Sequence, residues 1–124
     1  MGDYAPKYNF GQNPTYTAGG TITGGQLVYL SGDGTCAATT AASTNVLGVA
    51  SRDAVAGDLV TVIGARIQRL TAAAAITRGA ALKSAANGRV TTMTIGTDAQ
   101  NQYLGFALQA AAAAGDVIDV QMAV

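Results

Sequence analysis

Apolar and polar positions alternate along most of this chain, in short runs cut by glycine. In the run 59–63, Val60 and Val62 fall on one side and Thr61 on the other; in 117–124, Ile118, Val120 and Met122 oppose Asp119. A period of two over four to eight residues marks a strand with one dry face. The pattern predicts strands over 26–31, 46–51, 59–63, 65–70, 80–84, 89–94, 103–109 and 117–124. The run 35–45 reads as a loop with room for one short return strand. Gly48 interrupts its strand where a side chain would collide or a bulge is needed. Asp33-Gly34 and Asn87-Gly88 are pairs suited to positive φ at both centres of a tight hairpin turn. Alanine-rich 71–78 predicts a single helical turn, and the connector 110–114 has room for another.

The pattern also repeats. LGVASRDAVAGDLVTV begins at Leu47 and LGFALQAAAAAGDVIDV at Leu104. Upstream, Ile22, Thr23, Gly25, Val28 and Asp33-Gly34 match Ile76, Thr77, Gly79, Leu82 and Asn87-Gly88 at an offset of 54. The offset grows to 57 at Leu47/Leu104 and to 58 at Gly57/Gly115, as small loop insertions would make it do. Self-similarity at a near-fixed period means duplicated structural units. The predicted fold is all-β: a small barrel or sandwich of two sequence-related units, about 21–64 and 75–124, within one β domain spanning 21–124. Its expected core is Val28, Leu47, Val49, Val60, Val62, Leu82, Leu104, Phe106, Ile118 and Val120, with Phe106 or Ile118 truncation costing on the order of 2–5 kcal/mol.

Residues 1–20 differ from all that follows. They hold both prolines, Pro6 and Pro14, and four of the seven aromatics, Tyr4, Tyr8, Phe10 and Tyr16. No period of 2.0 or 3.6 survives there, so the segment reads as an extended N-terminal arm. Disordered segments are poor in aromatics, and aromatics favour interfaces. Tyr4, Tyr8, Phe10 and Tyr16 are therefore expected to bind a partner chain.

Composition narrows the function. Charged residues are only 11% of the 124, seven of each sign, against a usual quarter. Such a surface is wetted by Thr, Ser, Asn and Gln or is covered by partners; the aromatic arm favours partners. Seven cations are too few for a nucleic-acid footprint. No apolar run approaches a membrane span. No basic region followed by an apolar core marks a secretory signal, so the chain is expected to be made in the cytoplasm or assembled there into something larger. Histidine and glutamate are absent, which removes imidazole chemistry and the commonest raised-pKa acid. Asp58 and Asp116 follow glycine at strand entries, where Asp caps turns. Asp98, Asp116 and Asp119 lack the spacing of a calcium loop. Ser31, Ser43, Ser51 and Ser84 have no base to activate them. The lone Cys36 makes no disulfide within the chain and reads as a small buried apolar residue. Neither cofactor nor metal is implied, and no enzyme.

The Gly-rich I-T-x-G lead-in, hairpin, L-G-V-A strand and A-G-D-x-V-x-V strand resemble the small capsid decoration (cement) proteins of tailed bacteriophages. The matching stretches are 22–34, 47–63, 70–88 and 104–120. The resemblance implies a structural protein on the outside of the phage head, assembled in the host cytoplasm. It implies a homotrimer at three-fold or quasi-three-fold positions that bridges the major capsid protein lattice and stabilises the shell. The alternative is a small β-barrel module binding carbohydrate or peptide, possibly at a host surface. Beyond the arm, however, only Tyr29, Tyr103 and Phe106 could stack on a sugar.

Overall fold

The computed structural model describes residues 13–64 and 66–123. Ten strands form two five-stranded sheets. The first joins β1 (Thr15–Ala18), β2 (Leu27–Gly32), β3 (Thr35–Ala38), β4 (Val46–Ala50) and β5 (Leu59–Ile63). It is a closed barrel in the order β1-β3-β2-β4-β5, with β1 antiparallel to β5 and parallel to β3. The second joins β6 (Ile67–Thr71), β7 (Ala81–Ala85), β8 (Arg89–Thr92), β9 (Gly105–Ala107) and β10 (Val117–Met122). Its order, β6-β10-β9-β7-β8, is the same circuit, with β6 and β8 meeting at one parallel bridge, Ala72–Val90. That bridge stands where Ala18–Cys36 joins β1 to β3 in the first barrel.

The correspondence reaches single hydrogen bonds. The antiparallel bridge Ile22–Ala54 recurs as Ile76–Ala111. Gly57 N–H donates to the Ala18 carbonyl at 2.9 Å and Gly115 N–H to the Ala72 carbonyl at 2.8 Å. Gly48 and Gly105 both take φ of 154°, a value that strongly favours glycine. A Cβ on Gly48 would stand 2.5 Å from the Ile63 carbonyl oxygen, and one on Gly105 would strike that of Gln121. Each glycine lets its strand pass its neighbour closely, and a register shift falls beside Gly48 between Val28 and Tyr29.

Each barrel has its own apolar filling. The first holds Ala18, Ile22, Val28, Cys36, Ala50, Ala54, Val60 and Val62, with Tyr16 and Leu47 packed against it. The second holds the repeat-related Ala72, Ile76, Leu82, Val90, Ala107, Ala111, Ile118 and Val120, with Leu70 and Leu104. Leu27 and Val49, on the outer side of the first sheet, also belong to the second core and so join the barrels. A buried polar seam runs beside them. Thr39 Oγ1 donates to the Ala85 carbonyl at 2.9 Å, and Ser43 N–H donates to Ser84 Oγ at 2.7 Å. Thr39, Ser43 and Ser84 are all buried, and these bonds offset the cost of their desolvation.

Several expectations are corrected. Segment 71–78 forms no helical turn: Ile76 enters the core beside Ala111, as Ile22 does beside Ala54, and this tertiary contact outweighs alanine's helix preference. The connector 110–114 is likewise held open, by the Ala111 bridge and the Asp116 cap. The strand expected over 103–109 is cut to Gly105–Ala107. Asn87 and Gly88 both take positive φ, but in the first hairpin only Gly34 does. Residues 15–18, expected in the extended arm outside the β domain, are strand β1 of the first barrel. Phe106, expected in the core, is 39% exposed, while Leu104 and Ala107 on either side of the Gly105-Phe106 pair are buried, so the alternation changes phase at Gly105 and Phe106 faces outward. Leu47 is only half-buried.

Candidate functional surfaces

Of the four aromatics assigned to the arm, Tyr4, Tyr8 and Phe10 lie outside the described residues. Tyr16 is half-buried in β1, paired with Val60 and packed on the first core. It holds the place of Leu70 in the second barrel, a structural place. The signal was available: Thr17-Ala18 and Thr71-Ala72 match at the same offset of 54. Val62 N–H donates to the Pro14 carbonyl at 2.9 Å, so the chain enters the barrel alongside β5.

The ionisable groups serve the turns. Asp58 Oδ2 accepts from Val55 N–H at 3.1 Å, and Asp116 Oδ2 from Ala112 and Ala113 N–H at 2.9 and 3.2 Å. Asp98 Oδ2 accepts from Thr94 N–H at 2.8 Å while its Oδ1 meets Lys83 Nζ at 3.0 Å. The Thr94 amide first, and then Lys83, holds the Asp98 carboxyl below the usual carboxylate range. Asp119 faces Arg69 at 3.8 Å on the exposed side of the sheet. Burial pushes the Cys36 thiol up, away from reactive thiolate. Among the described residues no three Cys or Asp side chains gather as a metal site would require.

What the surface does offer is apolar. Across the outer face of the second sheet, ladder partners line up as Ile67, Gln121, Phe106 and Ala81. Ile67 is 54% exposed. Beside this row, the loop 93–104 carries Ile95, 74% exposed, and Tyr103. Met93, Ile95, Gly96, Asp98, Gln100, Tyr103 and Ala123 line an open groove there of about 610 Å³. The Lys83–Asp98 pair ties this loop to β7. Sequence reasoning passed over Ile95, yet the loop is where the repeat offset grows from 54 to 57. An insertion in one copy of a duplicated unit is a place to look for function.

A structural, contact-making chain with this architecture fits the comparisons with known proteins. Residues 8–122 match the phage cement protein family, and the chain belongs to it. It is thus a capsid-associated structural protein of the phage virion. Among solved structures it is similar to the N base of head fiber gp8.5 in bacteriophage phi29. The TM-score is 0.71 at 20% identity, over 90% of this chain and 93% of that one. That likeness is one of fold. No curated protein matches the sequence.

Proposed function

We propose that the protein decorates the outside of the phage head and stabilises the major capsid protein lattice, as a homotrimer at three-fold positions. The family match over residues 8–122 carries this reading. Support comes from a surface poor in charge and from acidic groups committed to turns and to a loop tie. Residues 1–12, with Tyr4, Tyr8 and Phe10, are the segment proposed to grip the lattice. Each aromatic can bury on the order of 150–250 Å² against a partner, and Pro6 reduces the entropy lost on docking. The contact is apolar and should depend weakly on salt.

The test is co-sedimentation with purified heads lacking the protein, using the full chain and a chain beginning at Asn13. A deletion reaching residue 18 would remove β1 and unfold the first barrel. The full chain should pellet with heads and raise their disruption temperature. The shortened chain should keep its melting temperature while losing most binding. A full chain that stays in the supernatant overturns lattice binding; undiminished binding by the shortened chain overturns the role of the arm.

A further inference from the structure

The duplicated barrels meet within one chain, and that internal junction shows what each barrel's surfaces are built to do. The first barrel docks with Leu27 and Val49 of its outer row, which continues to Ile63, and with the loop after β3, residues 39–45. The second receives this at β7 and its hairpin turn: Ser84, Ala85 and the Ala86–Gly88 turn. Gln26 Nε2 donates to the Asn87 carbonyl at 3.0 Å, and a Cβ on Gly88 would collide with the Gln26 side chain. The junction is heterologous: the docking surface and the receiving surface are different parts of the unit.

Each half of the junction therefore has a counterpart left over. The docking surface of the second barrel is the row Ala81, Phe106 and Gln121 with the loop 93–104. The receiving end of the first barrel is Leu30, at the position of Ser84, with the turn Gly32–Gly34. Leu30 is 40% exposed. The two leftovers differ from the internal junction in the same direction. Inside the chain, a polar loop carrying Thr39 and Ser43 meets buried Ser84. In the leftover pair, the loop carries Ile95 and Tyr103, and a leucine takes the place of that serine. Both sides have turned from hydroxyl to apolar, as two surfaces that bury each other would.

We propose that the second barrel's outer face, Phe106 with Ile95 and Tyr103, docks onto the Leu30 end of the first barrel of another copy of this chain. The contact repeats the internal junction and closes copies head to tail into a ring. Three copies would present six related barrels around one axis. Only the number three rests on the proposed three-fold capsid site; the contact itself rests on the repeat.

The experiment is light scattering on the purified full chain and on Phe106→Arg and Leu30→Arg variants. Both positions are partly exposed, and unchanged melting of each variant at high dilution checks that it folds. The wild type should run as a closed oligomer, and each variant alone as a monomer. An equimolar mixture of the two should give a particle of two copies. One intact face on the Leu30→Arg chain then meets one intact end on the Phe106→Arg chain, and growth stops there. A monomeric wild type at the highest soluble concentration overturns the proposal. So does a variant that keeps the wild-type mass, or a mixture that stays monomeric. A ring of four or more copies would uphold the contact and overturn the three-fold reading.

Discussion

In the first barrel the outer row across β2, β4 and β5 is Leu27, Val49 and Ile63, and its Leu27 and Val49 are buried against the second barrel's core. In the second barrel the same row is Ala81, Phe106 and Gln121, and it faces outward. Inside, the two units differ far less. Ile22, Val62 and three alanines of the first core have the identical residue at the matching place in the second. The remaining positions exchange one apolar side chain for another: Val28 for Leu82, Val60 for Ile118, Cys36 for Val90, Tyr16 for Leu70. A barrel this narrow fixes interior volume and backbone approach, whereas its outer face is free to take whatever its neighbour requires. The divergence between the units is thus a map of what each touches.

The severest way to break the comparison is at the paired glycines. Both Gly48 and Gly105 have φ of 154° and no room for a Cβ against the carbonyl of the adjoining strand. Gly48→Ala and Gly105→Ala should each cost on the order of 3–5 kcal/mol, combining backbone strain with a steric clash. The tighter Gly105 should suffer more. Urea denaturation measures this; an alanine at either place within about 1 kcal/mol of wild type would show that the crossing can relax.

A second comparison sets inside against outside on adjacent strands. Ile118 is buried in the second core, and Ile118→Ala should cost about 2–5 kcal/mol. Phe106, outward on β9, should cost less than half as much in the monomer. Equal losses would return Phe106 to the core where its apolar spacing had put it.

Phe106 shows where the pattern stops being readable. The alternation was legible wherever a strand ran straight, as in β5 and β10, and the repeat was legible because turn glycines and entry Asp residues recur. Leu104 and Ala107 are both buried with Phe106 exposed between them, so the alternation changes phase at Gly105, and Gly alone does not say which way. Residues 15–18 were lost because Tyr-Thr-Ala alternation is short and sits beside a Pro-rich lead. Only their match to 69–72 reveals a barrel strand. The alanines of 71–78 carry helix preference, and the contacts that overrule it, Ile76 with Ala111, are 35 residues apart. The outward apolar face was not legible at all, since period two marks sides and leaves open which one faces water.

The loop 93–104 sharpens the comparison by pH. The first barrel has Tyr29 where the second has Lys83, so among the described residues only the second ties its loop with an ion pair. Folding lowers the Asp98 pKa, so the tie contributes fully above the unfolded carboxyl value of about 3.9 and is lost as pH falls through the folded value. Relative to intrinsic exchange, protection of the Thr94 amide should fall as pH drops through the folded Asp98 value, below the usual carboxylate range, while the Ser43 amide of the first barrel's loop stays protected. In Asp98→Asn the Thr94 amide should exchange faster at neutral pH and lose that acid step. An acid step that survives in the variant would assign it to another carboxyl.

The mildest test exchanges one barrel's filling for the other's. Cys36 is fully buried on β3 and pairs with Leu30; its counterpart Val90 is fully buried on β8 and pairs with Ser84. Among the described residues no hydrogen bond is assigned to the thiol, so replacing it breaks no polar contact. Cysteine behaves here as a small apolar side chain, and valine adds volume at a place the sister barrel already fills with valine. Val28 faces that site in the first barrel where the larger Leu82 stands in the second, which leaves the smaller first core some room. Cys36→Val should change stability by less than about 1 kcal/mol, as a near volume-conserving swap does. The double variant Cys36→Val with Val28→Leu should be worse than the sum of its parts if the first core is already full. Thermal melts of the two singles and the double decide it. A loss of more than about 3 kcal/mol from Cys36→Val alone would show that the barrels, alike in strand circuit and in their paired bridges, are packed by different rules.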